Sequence, residues 1–293
     1  MSNPGTRGEV TQAIDKRLHA YRDDLADIRL KGQVAAPRYA DGQAARIVVG
    51  RAPVRRGPEP DAPLDTHYHY GERVLVFDKT RTTAWCQSEE DGYVGYIASR
   101  HLVLGTQPNP THYIANLGAY TYRVPDLRAP PLDLLPRHSP VAVAEIGIVT
   151  RDTEYARLEP AGFVPLSCLS PAPPRSPDLV SAAALYLGAP YLWGGRSFLG
   201  LDCSGLVQQA FRDLGIAVPR DTDMQRAAIG TPAAADDLRP GDLIYIPGHV
   251  MICAGSGEVI HASGSGMAVR RDRLADLIGA WGLDPASFAV RRP

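Results

Sequence analysis

Cys203 lies in Leu201-Asp202-Cys203-Ser204-Gly205-Leu206, where an amphipathic helix is expected to begin. Two histidines follow, His249 in Gly248-His249-Val250 and His261 in Val259-Ile260-His261-Ala262. One thiol at a helix N-terminus plus two strand-borne histidines could perform nucleophilic attack on a carbonyl. A thiol attacks as the thiolate, and an unperturbed cysteine is mostly protonated at neutral pH. In the first turn of a helix, unpaired N–H groups and the helix dipole favour a negative sulfur. The same N–H groups could receive an oxyanion, worth roughly 3–4 kcal/mol per donor. In that scheme His249 holds the thiolate as an ion pair and protonates the leaving amine. His261 accepts from the other ring nitrogen of His249 and fixes its orientation. The 12 residues from His249 to His261 suit one hairpin that sets them side by side.

Blander readings compete with this one. A lone cysteine is usually a small buried hydrophobe, the reading taken for Cys86, Cys168 and Cys253. Cys203, His249 and His261 could instead form a Cys-His-His zinc site, which also needs only proximity. His67 and His69 alternate on one strand face and read as surface histidines, with no metal assigned. Arg196 reads as a surface arginine.

The elements that must position these residues begin after a Pro/Ser linker, Pro171 to Pro177. Ser176 and Pro177 are expected to open a helix running to about Leu187, which Gly188 ends. The helix after Cys203 carries Leu206, Val207, Ala210, Phe211 and Leu214 on one face, and Gly215 closes it. From Gly241 the pattern turns to strands: Asp242 to Ile246, Val250 to Cys253, Val259 to His261 and Met267 to Val269, with Gly-rich turns between them. Helix first and antiparallel meander second is an α+β domain. The turn glycines do not follow a strand and open a helix, so no phosphate-binding loop is assigned.

Upstream, short β-type runs broken by Gly, Pro and Asp fill 33–105, and the same texture returns over 106–172. The two stretches resemble each other. Pro60-Asp61-Ala62-Pro63-Leu64 matches Pro125-Asp126-Leu127-Arg128-Ala129-Pro130, and Val74-Leu75-Val76 matches Val141-Ala142-Val143. Gly92-Tyr93-Val94-Gly95-Tyr96 matches Gly162-Phe163-Val164-Pro165-Leu166. Three matches in one order predict a duplicated small β-barrel. Before them, Ile14, Leu18, Tyr21, Leu25 and Ile28 recur at spacings of three and four, which predicts an amphipathic helix over Thr11–Lys31 in a segment spanning 1–32.

Composition bounds the function. The 293 residues carry a formal net charge of −1, which offers no electrostatic case for nucleic acid or an anionic membrane as partner. No run of about 18 apolar residues exists to span a bilayer. Four scattered cysteines are too few for a disulfide scaffold, and Met1 to Val10 lacks an apolar signal core, so a cytoplasmic location is expected.

Five motifs in order carry a family resemblance: Tyr191-Leu192-Trp193-Gly194-Gly195, Leu201 to Leu206, Arg239-Pro240-Gly241-Asp242-Leu243, Gly248-His249-Val250 and Ile260-His261-Ala262. Over about Pro177 to Val269 the chain resembles the NlpC/P60 cysteine peptidases, which implies a papain-like domain over 173–293. The resemblance implies Cys203 as nucleophile, His249 as base and His261 as the orienting third member, with no metal or organic cofactor. Two SH3-like barrels before such a domain resemble the γ-D-glutamyl-L-diamino-acid endopeptidases. Their substrate is a short murein tri- or tetrapeptide with a free N-terminal L-alanine, cut after the γ-carboxyl of D-Glu. That likeness implies Glu72 and Tyr93 as holders of the alanine amine, a chemistry that suits a carboxylate facing an ammonium. It implies Tyr191, Asp202 and Ser204 along the pocket beside the thiol, and Asp221 and Thr222 in a loop bordering the substrate. Two other readings stand beside it: an acyltransferase on the same core, and a non-catalytic wall-peptide binder. Recycling of internalised wall peptides is the role expected for the hydrolase.

Overall fold

The structure, a computed structural model, describes residues 14–293. Its first elements are small: β1 (Leu25–Asp27) pairs in parallel with β2 (Arg38–Ala40), and a 3-10 turn covers Ile28–Leu30. The helix expected over Thr11–Lys31 is thus absent from residue 14 onward, while residues 11–13 lie outside the described residues. Tertiary contacts override the periodicity. The Arg17 carbonyl accepts from the Val94 N–H at 2.8 Å and the Leu18 carbonyl from Gln87 Nε2 at 2.7 Å. Ala20 and Leu25 pack with Phe77 and Trp85, and the Arg22 guanidinium lies 4.7 Å from the Trp85 ring centre. Asp15 and Asp24 pair with Arg17 and Arg22 two residues away, a spacing that helix geometry holds apart.

The first sheet comprises β3 (Gln43–Ile47), β4 (Arg51–Arg55), β5 (Leu64–His69), β6 (Arg73–Lys79), β7 (Thr83–Ser88), β8 (Val94–Ala98) and β9 (Leu102–Leu104), in the order β5-β4-β8-β7-β6-β3-β9. Side chains alternate as a half-buried strand requires: Ala52 and Val54 of β4 and Ile97 of β8 point into a core with Ile47, Tyr68 and Val74. The second sheet comprises β10 (His112–Ile114), β11 (Gly118–Tyr122), β12 (Pro131–Pro136), β13 (Pro140–Thr150), β14 (Thr153–Glu159), β15 (Phe163–Pro165) and β16 (Leu169–Ser170). Its order, β12-β11-β15-β14-β13-β10-β16, repeats that of the first strand for strand. The three matched segments fall at equivalent places: the loops joining β4 to β5 and β11 to β12, strands β6 and β13, and the turns entering β8 and β15.

The last unit holds α1 (Leu179–Ala184), α2 (Cys203–Leu214), α3 (Thr222–Ala228) and α4 (Leu274–Trp281). Asp178, not Ser176, caps α1, accepting from the Ser181 N–H at 2.7 Å. A small ribbon of β17 (Arg196–Ser197) and β18 (Gly200–Leu201) leads into α2. The sheet of β19 (Thr231–Ala233), β20 (Leu243–Ile246), β21 (His249–Gly255), β22 (Glu258–Ser263), β23 (Ala268–Arg273) and β24 (Ala289–Arg292) has the order β19-β24-β20-β21-β22-β23. Leu206, Val207, Ala210 and Phe211 of α2 pack on Val250, Ile252 and Ile260, which fixes the helix against the strands that carry both histidines. Among the described residues no helix is long and apolar enough to cross a membrane.

Candidate active site

Asp202 builds the N-terminus of α2. Its Oδ1 accepts from the Gly205 N–H at 2.7 Å and its Oδ2 from the Gly194 N–H at 2.8 Å. The helical ladder starts where the Leu206 N–H reaches the Asp202 carbonyl, so the Cys203 and Ser204 amides are the ones left for an oxyanion. Arg220 grips the cap through both carboxylate oxygens, at 3.0 and 2.6 Å, and donates to Ser204 Oγ at 2.8 Å. Its Nε donates to Thr66 Oγ1 on β5 at 2.9 Å, tying the cap to the first sheet. Gly194 has φ +75, and a side chain there would press on Leu64 and the Asp65 backbone. That backbone approach explains a glycine in this loop.

The histidines meet across the β21–β22 hairpin, His249 Nε2 lying 2.9 Å from His261 Nδ1. His261 Nε2 lies 3.1 Å from Asp272 Oδ2 on β23. A carboxylate only accepts, so His261 carries its proton on Nε2 and accepts at Nδ1. His249 therefore donates from Nε2, and its Nδ1 is the nitrogen available as a base. Trp281 of α4 sets its edge or face against both rings, at centroid distances of 5.7 and 5.8 Å. Burial, then the neighbouring His261, pushes His249 down to about 4.

Burial also pushes the Cys203 thiol up, joined by the Asp202 charge; the Val250 N–H, the Thr222 hydroxyl and Arg220 oppose it. Thr222 Oγ1 is 3.9 Å from the sulfur, and no hydrogen bond joins Cys203 to His249 among the described residues. The ion pair expected from the helix terminus is not formed among the described residues, and burial opposes it by raising the Cys203 thiol and lowering His249. Among the described residues no three metal-binding side chains converge in a ligating arrangement.

A cavity of about 810 Å³ opens on Cys203, Ser204 and Thr222. Its opposite wall is Tyr93, whose hydroxyl donates to Asp221 Oδ2 at 3.2 Å. Arg17, from the segment before the first sheet, donates to the same Oδ2 at 2.8 Å and to Asp223 at 2.7 Å. Burial pushes Asp221 up, while Arg220 and Arg17 hold it down. Tyr191 packs against the core cluster that holds Cys203, and burial pushes its hydroxyl up to about 12.

Glu72 is not in this cavity. It is fully buried, 3.5 Å from Arg196 Nη2 and 3.7 Å from Arg212 Nη1, where the first sheet docks on α2. The acid bonded to Tyr93 is Asp221, and Asp65 lines the same cavity. His67 and His69 are buried in the same contact rather than exposed, His67 Nδ1 donating to the Gly194 carbonyl at 2.8 Å. Arg196 is 2% exposed, not a surface residue, and donates to the His67 carbonyl at 2.9 Å. All of these turn inward because one domain covers them. Asp272, Trp281 and Arg17 were not singled out from the sequence. Asp272 carried a usable signal, being the acid on the strand after His261.

Comparison with known proteins agrees with this architecture. Residues 188–277 match the NlpC/P60 family, and residues 54–102 match the bacterial dipeptidyl-peptidase SH3 domain. The γ-D-glutamyl-L-lysine dipeptidyl-peptidase of Bacillus subtilis (strain 168) is 28% identical over 247 residues, 76% of this chain and 80% of that protein. Dipeptidyl-peptidase 6 of Lysinibacillus sphaericus is 36% identical over 97 residues, 33% of this chain and 36% of that protein. A probable endopeptidase of Mycobacterium tuberculosis is 43% identical over 95 residues, and the chain spans only 24% of its length. The crystal structure of an NlpC/P60 family protein from Bacillus cereus superposes with a TM-score of 0.69 at 20% identity, covering 85% of this chain and 99% of that one, a likeness of fold. The chain is thus a hydrolase of the cysteine-peptidase kind, carrying an NlpC/P60 domain behind a bacterial dipeptidyl-peptidase SH3 domain.

Proposed function

We propose that this protein hydrolyses the bond between the γ-carboxyl of D-Glu and a diamino acid in short peptidoglycan peptides that begin with a free L-alanine. The observation that carries the reading is the meeting of Tyr93 and Asp221 in the cavity of Cys203. A carboxylate and a hydroxyl form a natural cradle for an ammonium group, which would share Asp221 with Arg17, whereas an acylated amine brings no charge to that carboxylate. The names of the Bacillus subtilis and Lysinibacillus sphaericus relatives support the same class of substrate.

Cys203 Sγ adds to the γ-carbonyl as His249 Nδ1 takes the thiol proton. The amides of Cys203 and Ser204 receive the oxyanion. Collapse returns the proton from His249 to the departing amine of the diamino acid and leaves a thioester. His249 then takes a proton from water as it attacks, and the thiol is restored with release of L-Ala-D-Glu. His261 and Asp272 keep His249 in the tautomer this requires. No step uses a metal or organic cofactor. The second sheet, sharing the strand order of the first, acts as a second SH3-like scaffold. A free-amine requirement selects peptides already released from the sugar strands, which fits turnover and recycling of wall fragments in the cytoplasm.

Mass spectrometry of L-Ala-γ-D-Glu-diaminopimelate incubated with the protein tests the proposal, beside the N-acetylated peptide and a Cys203→Ala control. Release of L-Ala-D-Glu from the free-amine peptide alone, and only with Cys203 present, is expected. Equal cleavage of both peptides would remove the amine cradle, and an intact free-amine peptide would overturn the reaction.

A further inference from the structure

We propose that Trp281, the last residue of α4, is a positioning residue for the reaction. Its indole holds the ring of His249 in one plane and keeps water off the histidine pair. The role rests on the reading of His249 as the base.

Leu274, Leu277 and Trp281 recur at helical spacing on α4 and pack over Met251, Cys253 and Val259 of the sheet. Side chains alternate along a strand, so His249 stands on the same face of β21 as Met251, and His261 on the same face of β22 as Val259. The end of α4 therefore comes to lie over the two rings. Gly282, in the left-handed region at φ +60, closes the helix directly after Trp281 with its N–H on the Ile278 carbonyl, which fixes where the indole sits.

The three rings form a triangle. Their centroids are 5.1 Å apart for His249 and His261, 5.7 Å for His249 and Trp281, and 5.8 Å for His261 and Trp281. Each pair is steeply inclined, at 78°, 86° and 70°, as edge-to-face rings prefer. The two imidazoles differ in their anchors. His261 is bonded through both nitrogens, to His249 and Asp272, whereas among the described residues His249 has only the bond to His261. A ring held by one hydrogen bond can still rock about it, and the indole blocks that motion, which fixes the direction of Nδ1.

The charged and titratable groups around the pair lie on other elements. Asp272 and Arg270 of β23 act on His261, and Cys203 and Tyr245 belong to the core under α2. Asp276, the one charged residue of α4, is exposed. The helix therefore acts on the histidines through an apolar contact, and that contact opposes a charged imidazole by excluding water.

Titration of the histidine ring nitrogens by NMR in the full chain tests this without turnover, with kcat and KM for L-Ala-γ-D-Glu-diaminopimelate read beside it. In wild type His249 should remain one tautomer, protonated on Nε2, and titrate near 4. Trp281→Ala should raise that midpoint by about one unit or more, toward the value of about 6.5 for a hydrated imidazole, and mix the tautomers. The same change should lower kcat about tenfold with KM within about twofold. Trp281→Phe keeps a smaller ring and should fall between the two; it carries the test alone if the alanine variant does not fold. Leu277→Ala trims the same face of α4 away from the rings, and should lower the melting temperature while leaving the midpoint in place. A midpoint and tautomer unmoved by the Trp281 changes, or moved as far by Leu277→Ala, would overturn the role. An uncut peptide with the midpoint moved as expected would keep the role in orienting His249 and overturn the reaction instead.

Discussion

The two seven-stranded sheets share one strand order but do different work on the same helix. The first runs along α2, with Asp91 on Gln208 and Glu90 on Arg212, and supplies Tyr93, Asp65 and Tyr96 to the cavity of Cys203. The second meets α2 near its C-terminus, where Arg137 and His138 both bond Asp213. It contributes no lining residue to that cavity. Just before β8 the first sheet carries Tyr93, while the matching position in the second, the first residue of β15, is Phe163, which lacks the hydroxyl that reaches Asp221. A repeated strand order therefore provides two braces, and only the first lines the cavity of Cys203.

Cys203→Ala breaks the comparison most severely. It should lower kcat by about ten-thousand-fold or more, measured by release of L-Ala-D-Glu, while the melting temperature stays close to wild type. Asp272→Asn should lower kcat by roughly tenfold to a hundredfold, as loss of an outer partner of an oriented histidine does, with little change in KM. Tyr93→Phe converts the first sheet's turn to the residue of the second. It should raise KM for the free-amine peptide by about tenfold, the loss of one hydrogen bond in a charged cradle, with kcat less affected. The pH profile follows from burial. His249 must be unprotonated to act, and its proton is lost above about 4, so kcat/KM should hold as pH falls through the ordinary histidine range of about 6.5 and decline only near 4. An acid limb near 6.5 would show the site to be wetter than described. Phe163→Tyr should change kcat/KM less than about twofold, because that turn faces no substrate.

What the sequence made legible was local. The thiol at a helix start, the hairpin bearing two histidines and the strand texture with its matched turns each depend on residues close in the chain. What it hid depends on docking. Arg196 bonds a carbonyl 129 residues away and Arg220 a hydroxyl 154 residues away, and neither partner is visible from local pattern. Glu72, in Tyr70-Gly71-Glu72, is implied by the family likeness as a holder of the substrate amine, yet the covering domain buries it away from the cavity of Cys203. The N-terminal segment had helical periodicity, yet its carbonyls bond the first sheet and its charges pair two residues apart. Cys203 opens α2 and His249 opens β21, positions a local pattern can indicate, but the burial that raises the thiol and lowers the imidazole is not displayed by a single sequence.

The central claim is that the first sheet and Asp221 together read a free amine beside Cys203. Its most direct test is the ratio of kcat/KM for L-Ala-γ-D-Glu-diaminopimelate to that for its N-acetylated form, in wild type and in Asp221→Asn. A strong wild-type preference that falls at least about tenfold in Asp221→Asn, with cleavage of the acetylated peptide retained, is the predicted result. An unchanged preference in Asp221→Asn would contradict the claim.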